Sequence, residues 1–266
     1  MQKRMLTALV LAAIGVPATI VGGVFFWLFM GTFVTIAAWE YVNLMRGAKY
    51  EPNQIFLVAG SFVLFLVRTY FPAYTEPTLT ALVLLAMGLY LISFEKGRDH
   101  AAGDFAVTIT GLIYFGWLGA YLVKLRELPG GLYWFFLVLP AVWFADSGAY
   151  LVGKQIGKRK LSPRLSPKKT WEGYIGGVIF AVLGGMLFAW LWRDQIPVTI
   201  LNGAMIGFFM GTLTTLGDLG ESMIKRQAGM KDSSHILPGH GGIFDRIDTW
   251  LWASALGYYL VSWFFL

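Results

Sequence analysis

Apolar runs of about 20 residues recur from one end of this 266-residue chain to the other, and that repetition constrains the fold more than any other feature. A helix of about 20 residues matches the hydrocarbon thickness of a bilayer. With 57% hydrophobic and only 14% charged residues, the chain reads as an all-α, polytopic integral membrane protein rather than as water-soluble domains. About nine transmembrane helices can be drawn, near 5–21, 24–44, 54–72, 77–95, 104–124, 131–152, 172–192, 197–219 and 247–266. The first pair is ambiguous, because Pro17 and Gly22-Gly23 fit either a tight outer turn or a kink in a re-entrant pair. Lys3-Arg4 before an apolar run imitates a signal peptide, but no small-residue cleavage site follows, so an uncleaved first span is expected.

Positive charge sets the expected orientation. With the N-terminus in the cytoplasm and the C-terminus outside, the outer side keeps only Arg68, Lys124, Arg126 and Arg193 of the 21 basic residues. The net charge of +6 therefore reports topology, and no nucleic-acid surface is inferred from it. Composition then divides the chain. Residues 1–128 form an apolar N-terminal transmembrane region. Residues 129–266 form the candidate catalytic region, with two polar connections, 153–171 and 220–246, on the cytoplasmic face. There is no cysteine, which removes disulfides, thiolate metal sites and a Cys nucleophile.

Three polar clusters stand out in the second region. Asp146, in the run WFADSGAY, lies about two turns inside the end of the sixth span. A carboxylate at that depth is paired, faces a cavity or holds a cation, and a helix-packing role is the plain alternative. The connection 153–171 carries seven basic residues and no acid. Lys154, Lys158, Arg159 and Lys160 read as orientation and lipid-headgroup charges. Ser166, Lys168, Lys169 and Thr170 differ, since they sit where the seventh span begins, and lysines beside free helix N–H groups favour a phosphate.

The third cluster is densest. Asp218, Glu221, Ser222 and Lys225 fall at i, i+3, i+4 and i+7, so one helix face carries all four. A Pro-Gly-His-Gly-Gly turn follows, whose glycines let N–H groups approach a ligand closely. Asp245 and Asp248 then open the last span, with Arg246 between them. Hard oxygen ligands without cysteine point to Mg²⁺. Zinc is disfavoured, because His235 and His240 straddle the turn with no third soft ligand. Two helix caps held by a salt-bridge network are the bland alternative. Acids, lysines and a glycine turn on one face suit phosphoryl or nucleotidyl transfer, which requires no protein nucleophile.

The run SMIKRQAGMKDSSHILPGHGGIFDRID over 222–248 resembles the signature of the CDP-diacylglycerol synthase (phosphatidate cytidylyltransferase) family. GDLGES, SPKKTWEG and DSGAY upstream are similar to that family's motifs and follow its order, while the first 128 residues match only as apolar spans. The resemblance implies transfer of CMP from CTP to phosphatidic acid, releasing pyrophosphate, with Mg²⁺ and room for a monovalent cation, in a bacterial-type inner membrane. It implies Asp218 and Asp245 as principal metal ligands and Asp146, Glu221 and Asp248 as lesser ones. Lys168, Lys169, Lys225, Arg226 and Arg246 would hold phosphates, Ser166, Thr170 and Ser222 would join them, and His240, Gly241 and Gly242 would offer turn N–H groups. A CTP-dependent kinase of polyprenols or other lipid alcohols is the alternative enzyme, and a cation transporter the alternative from another class. The glycine- and tryptophan-rich stretch 176–190 fits packing on a second copy, as a homodimer, or on neighbouring spans.

Overall fold

The computed structural model describes the backbone of residues 2–266 and the side chains of 7 and 9–266. The side chains of Lys3 and Arg4, which the orientation argument uses, lie outside the described residues. Each of the nine expected segments falls on helix, and six helical stretches are long and apolar enough to cross a bilayer: Gly23–Gly47, Pro72–Glu95, Ala101–Glu127, Gly131–Ile156, Trp171–Trp192 and Ile200–Gln227. The chain is an all-α polytopic membrane protein. It packs as two compact units, one of Met1–Val123 with Ile224–Ile247 and the other of Lys124–Met223 with Asp248–Leu266. Packing thus draws a different cut from the one composition draws near residue 128.

In the first unit, α1 (Gln2–Val21) and α2 (Gly23–Gly47) are separated by Gly22 and Gly23, both at positive φ. α1 then folds back against α2, since a Cβ on Gly15 would lie 3.1 Å from Phe29. α3 (Gln54–Tyr70) is capped by Asn53, whose side chain accepts from the Phe56 N–H. α4 (Thr75–Glu95) has only 17% of its most apolar window buried, as befits a helix solvated by lipid. α5 (Ala101–Gly111) runs through a π-helical turn, Leu112–Trp117, into α6 (Leu118–Glu127). That turn sets Phe115 edge-on to Phe244, with ring centres 5.0 Å apart, and so anchors the start of the last helix.

In the second unit, α7 (Gly131–Ile156), α8 (Trp171–Trp192) and α9 (Ile200–Leu213) pack through small residues. Cβ atoms on Gly185 and Gly207 would lie 2.1 Å from Gly203 O and 2.2 Å from Ala181 O. Backbones approach this closely only where side chains are absent, and close packing is what holds helices together when lipid competes for apolar contact. Residues 176–190 thus pack on neighbouring spans of the same unit. Thr214 breaks the last long apolar stretch into α9 and α10 (Thr215–Gln227), and α11 (Phe244–Phe264) closes the chain.

The connection 153–171 is not a plain loop. β1 (Lys160–Ser162) and β2 (Ser166–Thr170) form an antiparallel pair. Pro167 is tolerated because a two-stranded sheet is all edge. Glu172 holds the pair's approach, accepting from the N–H groups of Lys158 and Arg159.

Candidate active site

The motif side chains fall in both units. In the second unit, β2 delivers Ser166, Lys168, Lys169 and Thr170 to a cavity of about 390 Å³, whose wall also includes Asp146, Tyr150, Lys154, Tyr174 and Thr214. In a strand, residues spaced by two share a face, which lines up Ser166, Lys168 and Thr170 over a short length of chain. Lys169 Nζ donates to Asp218 Oδ2, and Ser222 Oγ lies 3.3 Å from Asp218 Oδ1, one helical turn on. The expected motif face on α10 therefore forms, with Asp218 reaching the lysine strand. Thr170 is buried and N-caps α8, its hydroxyl accepting from the Gly173 N–H at 3.1 Å. Glu221 and Asp248 are buried, 2% and 7% exposed, whereas Asp146 is exposed at the cavity wall. Lys154, read as an orientation charge, also lines the cavity beside Asp146 and Lys168.

In the first unit, α10 ends in a Schellman motif. The N–H of Met230 bonds Lys225 O and that of Gly229 bonds Arg226 O, with Gly229 at φ 68°. Ordinary residues avoid that φ, so glycine ends the helix just beyond Lys225 and Arg226. Arg226 is exposed and donates to Met230 O. Lys225 turns the other way and bonds Asp245 Oδ1 at 2.6 Å, with the two side chains 12% and 6% exposed.

Asp245 Oδ2 accepts three more donors at 2.8 Å: Ser233 N–H, Ser233 Oγ–H and Gly242 N–H. Burial pushes this carboxyl up, but the Lys225 bond and charge and the Gly242 and Ser233 N–H groups outweigh it, holding the group at about 2. The anion is therefore built in, with one oxygen fixed internally and the other facing a cation.

The glycine turn closes between Leu237 and Gly241, with Leu237 N–H bonding Gly241 O and His240 N–H bonding Leu237 O. Pro238 followed by Gly239 at φ 78° has the pattern of a type II turn. Two N–H groups expected to face a ligand, those of His240 and Gly242, thus have partners inside the loop. Beside the turn lies a polar hollow of about 510 Å³, lined by Lys231, Asp232, His235, His240, Gly241 and Arg246. His240 Nδ1 is buried and has no hydrogen-bond partner among the described residues.

The chemistry of the donors fits Mg²⁺. Asp218 and Asp245 offer hard carboxylate oxygens, and each pairs with an ammonium group. Among the described residues no three His, Asp or Glu side chains gather as a ready-made cage. Mg²⁺ ordinarily uses one or two carboxylates and completes its shell with water and substrate phosphates.

One residue escaped the sequence reading. Glu40, inside α2, is 0% exposed and accepts from Ser233 Oγ, Ser234 Oγ, Ile243 N and Phe244 N. Its sequence signal is the same as that of Asp146, since Glu40 is the acid within the apolar run 24–44.

Comparison with known proteins places this geometry. A model of the cytidylyltransferase family matches residues 2–264. A Pseudomonas aeruginosa protein named phosphatidate cytidylyltransferase is 36% identical over 94% of this chain and 92% of its own length. Proteins of the same name from Synechocystis sp. and Bacillus subtilis are each 33% identical, over 97% and 99% of this chain and 96% and 98% of theirs. The chain belongs to the cytidylyltransferase family.

Proposed function

We propose that this chain is a phosphatidate cytidylyltransferase, converting CTP and phosphatidic acid into CDP-diacylglycerol and pyrophosphate for phospholipid synthesis. The observation that carries the reading is near-full-length similarity to proteins of that name from several bacteria. The cavity of the second unit combines lysines with apolar and aromatic walls, which suits a phosphate carried on a lipid tail. The hollow beside the glycine turn is polar, which suits the phosphates of a soluble nucleotide.

An oxygen of the phosphatidate phosphate attacks the α-phosphorus of CTP. A new P–O bond forms, the bond from the α-phosphorus to the α–β bridging oxygen breaks, and that oxygen leaves on pyrophosphate. The attacking monoester is already largely ionised near neutral pH, its second pKa being about 6, so no general base is assigned. Lys168, Lys169, Lys225, Arg226 and Arg246 neutralise and orient phosphates, with Ser166, Thr170 and Ser222 as hydroxyl partners. Lys169 and Lys225 exchange their carboxylate partners for phosphate oxygens as substrates bind. Mg²⁺, when bound, would lower the repulsion between phosphates; in the second unit Asp218, with Asp146, Glu221 and Asp248 in support, would offer it carboxylates, as would Asp245 in the first. A nine-span chain in the inner membrane, N-terminus in and both polar connections cytoplasmic, completes the proposal.

Purified protein with CTP and phosphatidic acid should form a liponucleotide only with Mg²⁺ present. A covalent cytidylyl-protein trapped in a single turnover would contradict direct attack.

A further inference from the structure

We propose that Glu40 is a positioning residue, a buried carboxylate on α2 that fixes the Asp245 side chain through Ser233 and through the first turn of α11. The inference rests on the reading of Asp245 as a cation ligand.

Four donors converge on Glu40. Oε1 accepts from Ser234 Oγ at 2.5 Å and Ile243 N at 3.0 Å. Oε2 accepts from Phe244 N at 2.7 Å and lies 3.0 Å from Ser233 Oγ. The Ile243 and Phe244 N–H groups open α11, where backbone donors lack intrahelical partners. Ile243 has no side-chain oxygen with which to cap them. Glu40, about 200 residues away in sequence, supplies the acceptor these donors lack. The next residue of that helix is Asp245.

A second route runs through Ser233. Its Oγ lies 3.0 Å from Glu40 and 2.8 Å from Asp245 Oδ2, while its N–H also bonds Asp245 Oδ2. One hydroxyl proton shared between two carboxylates ties their positions together. Gly242 permits the assembly, because a Cβ there would lie 2.1 Å from Ser233 Oγ and 2.4 Å from Glu40 Oε1. With Oδ2 held by three internal donors, Asp245 presents Oδ1, now on Lys225, as the oxygen whose partner can change. Outer partners of a ligand typically alter metal affinity by about tenfold to a hundredfold when removed.

The test is an Mn²⁺ titration of the full chain in detergent, with free Mn²⁺ read by electron paramagnetic resonance. Asp245→Asn should abolish the tight site. Glu40→Gln should raise the Mn²⁺ Kd at least about tenfold, because Gln places an N–H₂ where the loop offers only donors. Ser233→Ala should weaken binding, whereas Ser234→Ala, which touches Glu40 but not Asp245, should stay within about twofold of the unaltered protein. Combining Glu40→Gln with Ser233→Ala should cost less than the sum of the two single changes, as for residues that share one hydrogen-bond network. Should Glu40→Gln not fold, the two serine variants decide alone. Equal Kd values for them, or an unaltered Kd in a folded Glu40→Gln, would overturn the inference. An unaltered Kd in Asp245→Asn would overturn the ligand reading itself, and the inference with it.

Discussion

Replacing Asp245 by Asn changes one atom and removes a charge on which the loop is built. The carboxyl sits at about 2 against an ordinary 3.8, a difference worth about 2 kcal/mol of folding stability. The folded value is depressed, so this stability is fully present above pH about 4 and is lost as pH falls from there toward 2. The substitution also strands Lys225, 12% exposed, beside a neutral amide. Breaking a buried pair from one side costs about 3–5 kcal/mol, which lowers Tm by about 6–20 °C in a chain of this size. Thermal unfolding of the purified protein in detergent, followed by fluorescence of its 11 tryptophans, reads this directly. The variant should melt earlier at pH 7 and lose less stability between pH 4 and 2 than the unaltered protein. Equal Tm values at pH 7 with superimposable acid profiles would refute the account of Asp245 as a pinned anion.

Other consequences follow from the same contacts. Gly242→Ala should destabilise more than Gly220→Ala in thermal unfolding, because its Cβ would strike Ser233 and Glu40 while Gly220 has open space around it. Lys154→Ala should raise KM for the lipid substrate several-fold, while Lys158→Ala, whose contact with Glu172 is through its backbone, should leave turnover near normal. Asp218→Asn should reduce kcat at least about a hundredfold while insertion into the membrane persists, as expected for loss of a charge-stabilising group. The chain has no cysteine, so single cysteines report cleanly. One at Arg164 should be labelled from the cytoplasmic side and one at Asp194 from the outer side, and the reverse pattern would invert the topology.

The legible parts were those with a period or a charge code. Asp218, Ser222 and Lys225 fall on one helix face because the 3.6-residue repeat is fixed by backbone geometry, and α10 honours it. The hairpin was not legible. Lys160–Ser162 and Ser166–Thr170 are short, polar and proline-bearing, so their strand character comes from pairing with each other and from Glu172 rather than from propensity. The role of Glu40, though not its presence in an apolar run, was hidden for another reason. Its partners Ser233, Ser234, Ile243 and Phe244 lie about 200 residues downstream, and no local pattern announces them. The roles of Gly242 and Lys154 were likewise set by tertiary neighbours, a carboxylate in one case and a cavity in the other.

The central claim is the fate of the nucleotide, and the position of a radiolabel decides it. With CTP labelled at the α-phosphorus, purified protein, Mg²⁺ and phosphatidic acid, label should enter the lipid fraction, while label at the γ-phosphorus should leave as pyrophosphate. Label from the γ position in the lipid, with CDP released, would make the chain a CTP-dependent lipid kinase and contradict the account.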